Sequence, residues 1–395
     1  MKHCEHNNRI VIGILAPFNP HVEKPVGKQT NLMTEFIIAS HIHNFNAVIF
    51  DPQKLLTAKK KCEGFTRYGS KWIKINSTLP HVIYDRFYSN LKGLDNEVEH
   101  IKFKLSEKYY FINPVGLSSY VTDKVKFSYL MKQMRVNTPT IISEQLPENS
   151  TQWATLINQP SRLIIKPRFG RMGKGIFRIH TENKSQRIII RSASLTLIAD
   201  SIPEMEGIIE SLLDVFKLSG KNMMVQEEIQ IPEEKYFDIR CLIQRDGSGS
   251  PVLTGKVIRC AASKAVAPNI DQGGFAMDIE KWVTDNINFH HSSDFINAVE
   301  MFSLDVFRKI ENYTGPIGEL GVDILVDKYY NLYLIEANAK PGRFAFHRLS
   351  RGYGFDKNLK RRYAMIRKRS ILNPVMYGRY LMEKGIKNEQ SISDY

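Results

Sequence analysis

Cysteine is scarce in this chain, with four among 395 residues, and Cys4, Cys62, Cys241 and Cys260 stand far apart without a Cys-x-x-Cys pair. That spacing points away from a zinc site or a disulfide framework, and buried, reduced thiols are expected. Long hydrophobic runs are missing as well. The longest near the start, Ile10 to Ala16, is too short to span a bilayer, and the residues before it do not form a signal peptide. A cytoplasmic protein is expected. The histidines show no His-Glu-x-x-His pattern, the first domain holds no Gly-x-Gly-x-x-Gly dinucleotide loop, and no internal repeat or low-complexity tract stands out.

What the chain does contain is a 43% hydrophobic, 24% charged composition, that of a soluble globular protein long enough for two or three domains. Its formal charge of +14 favours an anionic partner, without choosing among a nucleotide, nucleic acid, an anionic polymer and a membrane surface.

Ile10 to Leu15 and Ala47 to Phe50 read as buried strands around a helix over 31–40, where Leu32, Met33, Phe36 and Ile37 share a face: one βαβ unit. With further strands at Trp72 to Ile75, His81 to Tyr84 and Tyr110 to Ile112, residues 1–115 make a small α/β domain. Tyr84-Asp85-Arg86 ends a strand in two opposite charges, an internal ion pair in the simpler reading. Thr122-Asp123 offers an N-cap to a helix with Phe127, Leu130, Met131 and Met134 on one stripe, which leaves Lys124 in the first turn and off that stripe.

Arg162 to Ile165 leads into KPRFGRMGKGI (166–176), where Lys166 ends a strand and Gly170, Gly173 and Gly175 form a loop before the next one. No Ser or Thr follows Lys174 and no helix begins there, so this is not a Walker loop. A cationic glycine loop can instead fold over a polyphosphate, with Arg168, Arg171 and Lys174 at hand. A plain hairpin tip fits equally. Ser201 to Glu204 forms a capping box for a helix expected to end at Gly220.

Gln226, Glu227 and Glu228 end an apolar strand, either presenting groups to an adenine edge or simply solvated. In Phe237 to Ile243, Asp238 and Arg240 share one face; they pair with each other or serve phosphate and substrate. Lys256 and Arg259 stand at opposite ends of the following strand, and Asn269 lies beside a Gly-Gly loop. After Arg343 the cations Lys357, Lys360, Arg361, Arg362, Arg367, Lys368 and Arg369 gather in one helical stretch, a solvated face or a surface for an anionic partner. Without interleaved aromatics, nucleic acid is disfavoured there.

The richest stretch is Pro316 to Arg343. Two apolar strands, Leu320 to Val326 and Asn331 to Ala337, flank the turn Asp327-Lys328-Tyr329-Tyr330 and are interrupted by Asp323 and Glu336. A symmetric turn sets Asp323 opposite Leu334, with Glu336 and Asn338 on the Asp323 face as diagonal neighbours. Two carboxylates and an amide oxygen so placed can hold a hard cation such as Mg²⁺, which completes its shell with water and phosphate. The alternative pairs Asp323 with a nearby arginine and lets Glu336-Ala337-Asn338 simply end a strand.

In combination, Lys124, Lys166 with its glycine flap, QEEI, DIR, Arg259, Asn269, Asp323 and Glu-x-Asn resemble the ATP-grasp superfamily over residues 115–345, particularly its amino-acid and glutamate ligase branch. Through YDR (84–86), KPRFGRMGKGI, GELGVDI, IEANAKPGR and LNPVMYGRYL, the whole chain resembles the YheC/YheD family of endospore-associated ATP-grasp proteins. The resemblance implies an α/β (α+β) fold: an N-terminal pre-ATP-grasp domain (1–115), an ATP-grasp domain (116–345, with lobes 116–225 and 226–345) and a basic helical segment (346–395).

It also implies ATP and Mg²⁺, with Lys124 and Lys166 on the phosphates, Gln226, Glu227 and Glu228 at the adenine and ribose, and Gly170, Gly173, Lys174, Gly175, Asp238 and Asn269 completing the nucleotide site. Asp323, Glu336 and Asn338 would bind the metal, and Arg259 and Arg240 would stabilise the transferred phosphate. The implied activity is ligation of a small-molecule or peptide carboxylate to an amine through an acyl phosphate, with spore-coat components as partners. The alternative is a structural spore-coat protein that binds nucleotide without turnover.

Overall fold

The computed structural model describes residues 10–87, 94–157, 162–170, 173–182, 187–192, 195–231, 236–262, 273–286, 292–352 and 355–385. Three sheets carry the architecture. The first holds β1 (Ile10–Leu15), β2 (Phe45–Phe50), β3 (Lys61–Tyr68), β4 (Lys71–Thr78), β5 (Val82–Asp85) and β6 (Tyr110–Phe111), in spatial order β4-β3-β2-β1-β5-β6. Helices α1 (Thr30–Ile42), α2 (Pro52–Thr57) and α3 (Leu94–Ser106) lie among these strands in the chain. The βαβ unit expected from the sequence is β1-α1-β2, with its two strands parallel. β3 was not anticipated: it alternates buried and half-buried residues and pairs antiparallel with β4.

Next come α4 (Leu117–Thr122), α5 (Lys124–Gln133), β7 (Ile141–Ser143), α6 (Ser150–Ile157), β8 (Leu163–Pro167), β9 (Phe177–Thr181), β10 (Ile188–Ser192), β11 (Leu195–Ala199), α7 (Ile202–Phe216) and β12 (Met223–Glu227). Their strands form an antiparallel sheet in the order β11-β10-β9-β8-β12-β7. Asp123 caps α5, its Oδ1 accepting from the backbone N–H groups of Val125 and Lys126. α7 stops at Phe216, before the expected Gly220, because Lys217 turns left-handed at φ 54° and caps the helix.

The third sheet, β15-β14-β13-β16-β17, is built from β13 (Phe237–Arg245), β14 (Pro251–Cys260), β15 (Phe275–Met277), β16 (Glu319–Val326) and β17 (Leu332–Asn338). One face packs on α8 (Ile279–Asn286) and α9 (Ser292–Thr314), joining Ile239, Cys241, Val322, Ile324 and Leu334 to Val299, Val306 and Phe307. The other face meets α10 (Phe344–Arg351) and the start of α11 (Lys357–Lys384). Further along, α11 buries Ile371, Val375, Tyr377 and Leu381 against the first sheet, so this basic helix ties two sheets together. Cys62, Cys241 and Cys260 are buried and in no disulfide. Among the described residues, no helix is long and apolar enough to cross a membrane.

The first and third sheets meet through buried polar groups. Asn113, just after β6, donates to Glu319 O (2.9 Å) and Ala339 O (2.7 Å) and accepts from the N–H groups of Gly318 and Glu319. Glu319 is 1% exposed and receives Arg86, Arg343, Tyr84 and Gln244. The charges of Asp85 and Arg86 therefore do not pair with each other. Asp85 instead meets Lys102 (3.0 Å) and Lys340 (2.8 Å).

Candidate nucleotide and metal site

The β16–β17 hairpin departs from the symmetric register in two places. Five residues, 327–331, separate the paired ends Val326 and Leu332, and a bulge between Asp323 and Ile324 adds a second offset. Asp327 organises the longer turn, its Oδ1 accepting from the N–H groups of Tyr329 and Asn331, both at 2.8 Å. Asp323 consequently lies directly opposite Glu336, not Leu334; Leu334 pairs with Ile324 and joins the α9-side core. The bulge is what brings the two carboxylates onto one face.

Across the sheet, Val257, Arg240, Asp323 and Glu336 form a single row through β14, β13, β16 and β17, and the neighbouring pair Asp238–Arg259 lies two residues along on the same face. The self-contained Asp238–Arg240 pair considered from the sequence is replaced by two cross-strand pairs. Arg259 holds Asp238 in two hydrogen bonds, and Arg240 holds Asp323 in two more, with NH2 at 2.8 Å from Oδ2. Arg259 also reaches Asp323 Oδ2 at 2.9 Å, so two arginines and two carboxylates balance.

Burial alone would raise the Asp323 pKa, but Arg240 and Arg259 overcome it and hold the carboxyl well below its ordinary value. Asp238 is pushed up to about 6, by burial and then by the charge of Asp323, against the pull of Arg259.

Glu336 is half-buried, and no lysine or arginine pairs with it among the described residues. Asn338 Nδ2 lies 3.2 Å from Glu336 Oε1 and 3.4 Å from Asp323 Oδ2. Rotating that amide presents Oδ1 to the same point, since the O and N positions of an asparagine are assigned from their surroundings. Two carboxylates and an amide oxygen then converge, a donor set of the hard kind that suits Mg²⁺. Among the described residues, no cluster of three or more His, Cys, Asp or Glu side chains offers another metal site.

Facing this row from the second sheet, Lys166 is 6% exposed at the end of β8. Burial first, then the charge of Lys124, lowers its pKa to about 7, while Glu336 opposes the shift. Lys124 Nζ donates to Gly170 O (2.8 Å), holding the glycine loop to α5. Gly175 turns at φ +71°, and a Cβ there would meet Leu218 Cδ1 at 2.3 Å, so only glycine fits. Gly173 is also left-handed and Lys174 is exposed. Arg168 is committed elsewhere, bidentate to Asp123 at 2.8 and 2.9 Å. Arg171 and Asn269 lie outside the described residues.

At the other end of the second sheet, Gln226 is buried, and Glu227 Oε1 accepts from Thr140 N (2.7 Å). Glu228 is not solvated. Its carboxylate is buried against Arg178, with Oε2 left without a hydrogen-bond partner. Arg178 and Asn113 escaped the sequence reading. The alternation of FRIHT and the Asn-Pro turn after β6 were their available signals.

Lys166 gives the site a pH signature. Its folded pKa lies below the unfolded value, so between about 7 and 10.5 the unfolded chain binds the extra proton and stability rises with pH. Urea midpoints from pH 7 to 9.5 are expected to climb more steeply in the native protein than in Lys166→Met; parallel curves would contradict the assignment.

The three sheets and the lysine-bearing second sheet facing a carboxylate row define the ATP-grasp fold. Residues 115–381 match the YheC/D-like ATP-grasp family, and the chain belongs to that family. It is similar to the endospore coat-associated protein YheC of Bacillus subtilis (strain 168), 23% identical over 299 residues, covering 74% of this chain and 79% of that one. Endospore coat-associated protein YheD of the same organism is 19% identical over 393 residues, covering 99% and 82%. Among solved structures, D-alanine–D-alanine ligase from Bacillus anthracis complexed with ATP superposes with a TM-score of 0.53 at 12% identity, covering 96% of this chain and 100% of that one.

Proposed function

We propose that this chain is an ATP-dependent carboxylate–amine ligase, acting with Mg-ATP and associated with endospore formation. The observation that carries the reading is the row Arg240–Asp323–Glu336 with Lys166 of the second sheet within electrostatic reach of Glu336, and Lys124 of α5 beside Lys166. In that arrangement Glu336, Asn338 and the free directions of Asp323 would hold Mg²⁺, which when bound neutralises phosphate charge. Lys124 and Lys166 would bind the nucleotide phosphates, with the N–H groups of the glycine loop above them, and the Gln226–Glu228 strand end would take the base and ribose.

Phosphoryl transfer asks for placement and cationic stabilisation more than for a protein nucleophile. The substrate carboxylate attacks the terminal phosphorus, ADP leaves, and an amine displaces phosphate from the acyl phosphate while losing a proton. Arg259 and Arg240 flank the position where charge develops on the transferred group.

ADP release tests the reading. The purified protein with Mg-ATP is challenged with fractions of a sporulating-cell extract. Release triggered by one fraction, requiring both an acid and an amine in it, is the expected result. Measurable Mg-ATP binding with no release in any fraction would favour a structural nucleotide-binding protein of the spore coat.

A further inference from the structure

The cations that the candidate site does not use gather on two helices packed against each other, α10 and α11. Arg348 and Arg351 of α10 and Lys357, Arg361 and Lys368 of α11 are all exposed, and none forms an ion pair among the described residues. Their neighbours behave differently: Arg362 is tied to Asp278 and Glu280, and Arg367 to Glu35. At 3.6 residues per turn, positions 357, 361 and 368 fall within ~40° of one another and make a single outward stripe.

Position relative to the site is fixed by packing. Ala345, Phe346 and Leu349 of α10 bury against Leu242 and Val257, and Val257 is directly opposite Arg240 in the sheet. Helix α10 thus lies on the face that carries Arg240, Asp323 and Glu336. Five residues, 339–343, separate Asn338 from Phe344, at most ~20 Å of chain. The nearby charges at His347 are mostly positive. Burial lowers its pKa, Arg367, Arg351 and Arg348 lower it further, Glu35 opposes them, and its Nδ1 is buried with no hydrogen-bond partner.

We propose that this surface docks a carboxylate-rich polypeptide, which runs from the α11 stripe past α10 towards the Glu336 row. That the docked chain is also the substrate rests on the ligase reading; the docking itself does not. Lys357 to Lys368 spans ~16 Å of helix. The stripe alone takes about five extended residues, and the stretch from Phe344 to Asn338 about six more. Carboxylates match isolated, flexible lysines and forked arginines. Nucleic acid is less suited, because the exposed aromatic in the patch, Phe344, already has one face taken by the Arg348 guanidinium, 5.0 Å from its centroid.

The probe is a fluorescein-labelled deca-glutamate, followed by anisotropy with the full chain in 50 mM NaCl. Binding is expected to weaken at least tenfold in the triple variant Lys357→Glu, Arg361→Glu, Lys368→Glu, and also in Arg348→Glu, Arg351→Glu, which approaches the patch from the other helix. Mg-ATP binding should be unchanged in both, showing that they are folded, and Glu336→Gln should keep its peptide affinity. The proposal is overturned if deca-glutamine binds equally well, or if neither charge-reversed variant loses affinity. Tighter binding of a single-stranded oligonucleotide of equal charge, or of anionic vesicles, would also overturn it and reassign the surface. Retained docking with no ADP release under any condition would leave this inference standing and sink the ligase reading; the reverse pattern would do the opposite.

Discussion

Replacing Glu319 by alanine is expected to cost about 3–5 kcal/mol of unfolding free energy, the range for removing one partner of a buried ion pair. Glu319 faces two buried arginines, Arg86 at 3.2 Å and Arg343, and also accepts from Tyr84 OH (2.8 Å) and Gln244 Nε2 (3.0 Å). Both arginines have other acceptors, Gln29 Oε1 and the Pro341 carbonyl for Arg86, the Pro341 and Ser370 carbonyls for Arg343. Truncation would take a shared carboxylate away from two guanidinium groups that are 2% and 6% exposed. Urea denaturation at neutral pH measures the loss. The variant that also carries Arg86→Met and Arg343→Met should recover much of it, since an apolar replacement removes the stranded charge. A single-variant loss under ~1 kcal/mol would show that the carbonyls suffice.

Glu336→Gln is expected to behave in the opposite way, losing about 10³-fold in ADP release while changing stability by under ~1 kcal/mol. Glu336 is half-buried and pairs with no cation among the described residues, so neutralising it strands nothing in the folded protein. What it removes is the carboxylate proposed to hold Mg²⁺. Asp323 is a poor probe of the same question. Changing it releases Arg240 and Arg259 together, and lost activity could then reflect a collapsed sheet. Turnover of Glu336→Gln at the native rate, or Mg²⁺-dependent ATP binding identical to that of the native protein, would remove Glu336 from the metal site.

Much of this architecture is legible where the physics is local. Alternating or apolar runs give five of the six strands of the first sheet, all but β3, and the hairpin, and the Asp123 cap follows from a polar residue set before an apolar stripe. The glycine loop follows from three glycines between strands, of which Gly175 is held by its own φ and by Leu218. Pairings between distant segments are less legible. Asp238 and Arg240 look like partners because they share a strand face, yet each finds a closer partner directly across the ladder, 21 and 83 residues away in sequence. Glu228 reads as a solvated strand end, and only the fold supplies Arg178 to bury it. The bulge at Asp323 has no compositional mark at all, because any residue can be the extra one.

The five-residue turn and the bulge amount to a parity rule. Each offset alone moves β17 by one place, and one place exchanges the two faces of a strand. With the turn as it is and no bulge, Ile335 would sit opposite Asp323 and Glu336 would point at α9 beside Val322. Loop length and chemistry are therefore locked together in this hairpin. Single insertions or deletions between Val326 and Leu332 would leave the strands paired but carry the carboxylate to the other face of the sheet, whereas changes in twos leave it in place.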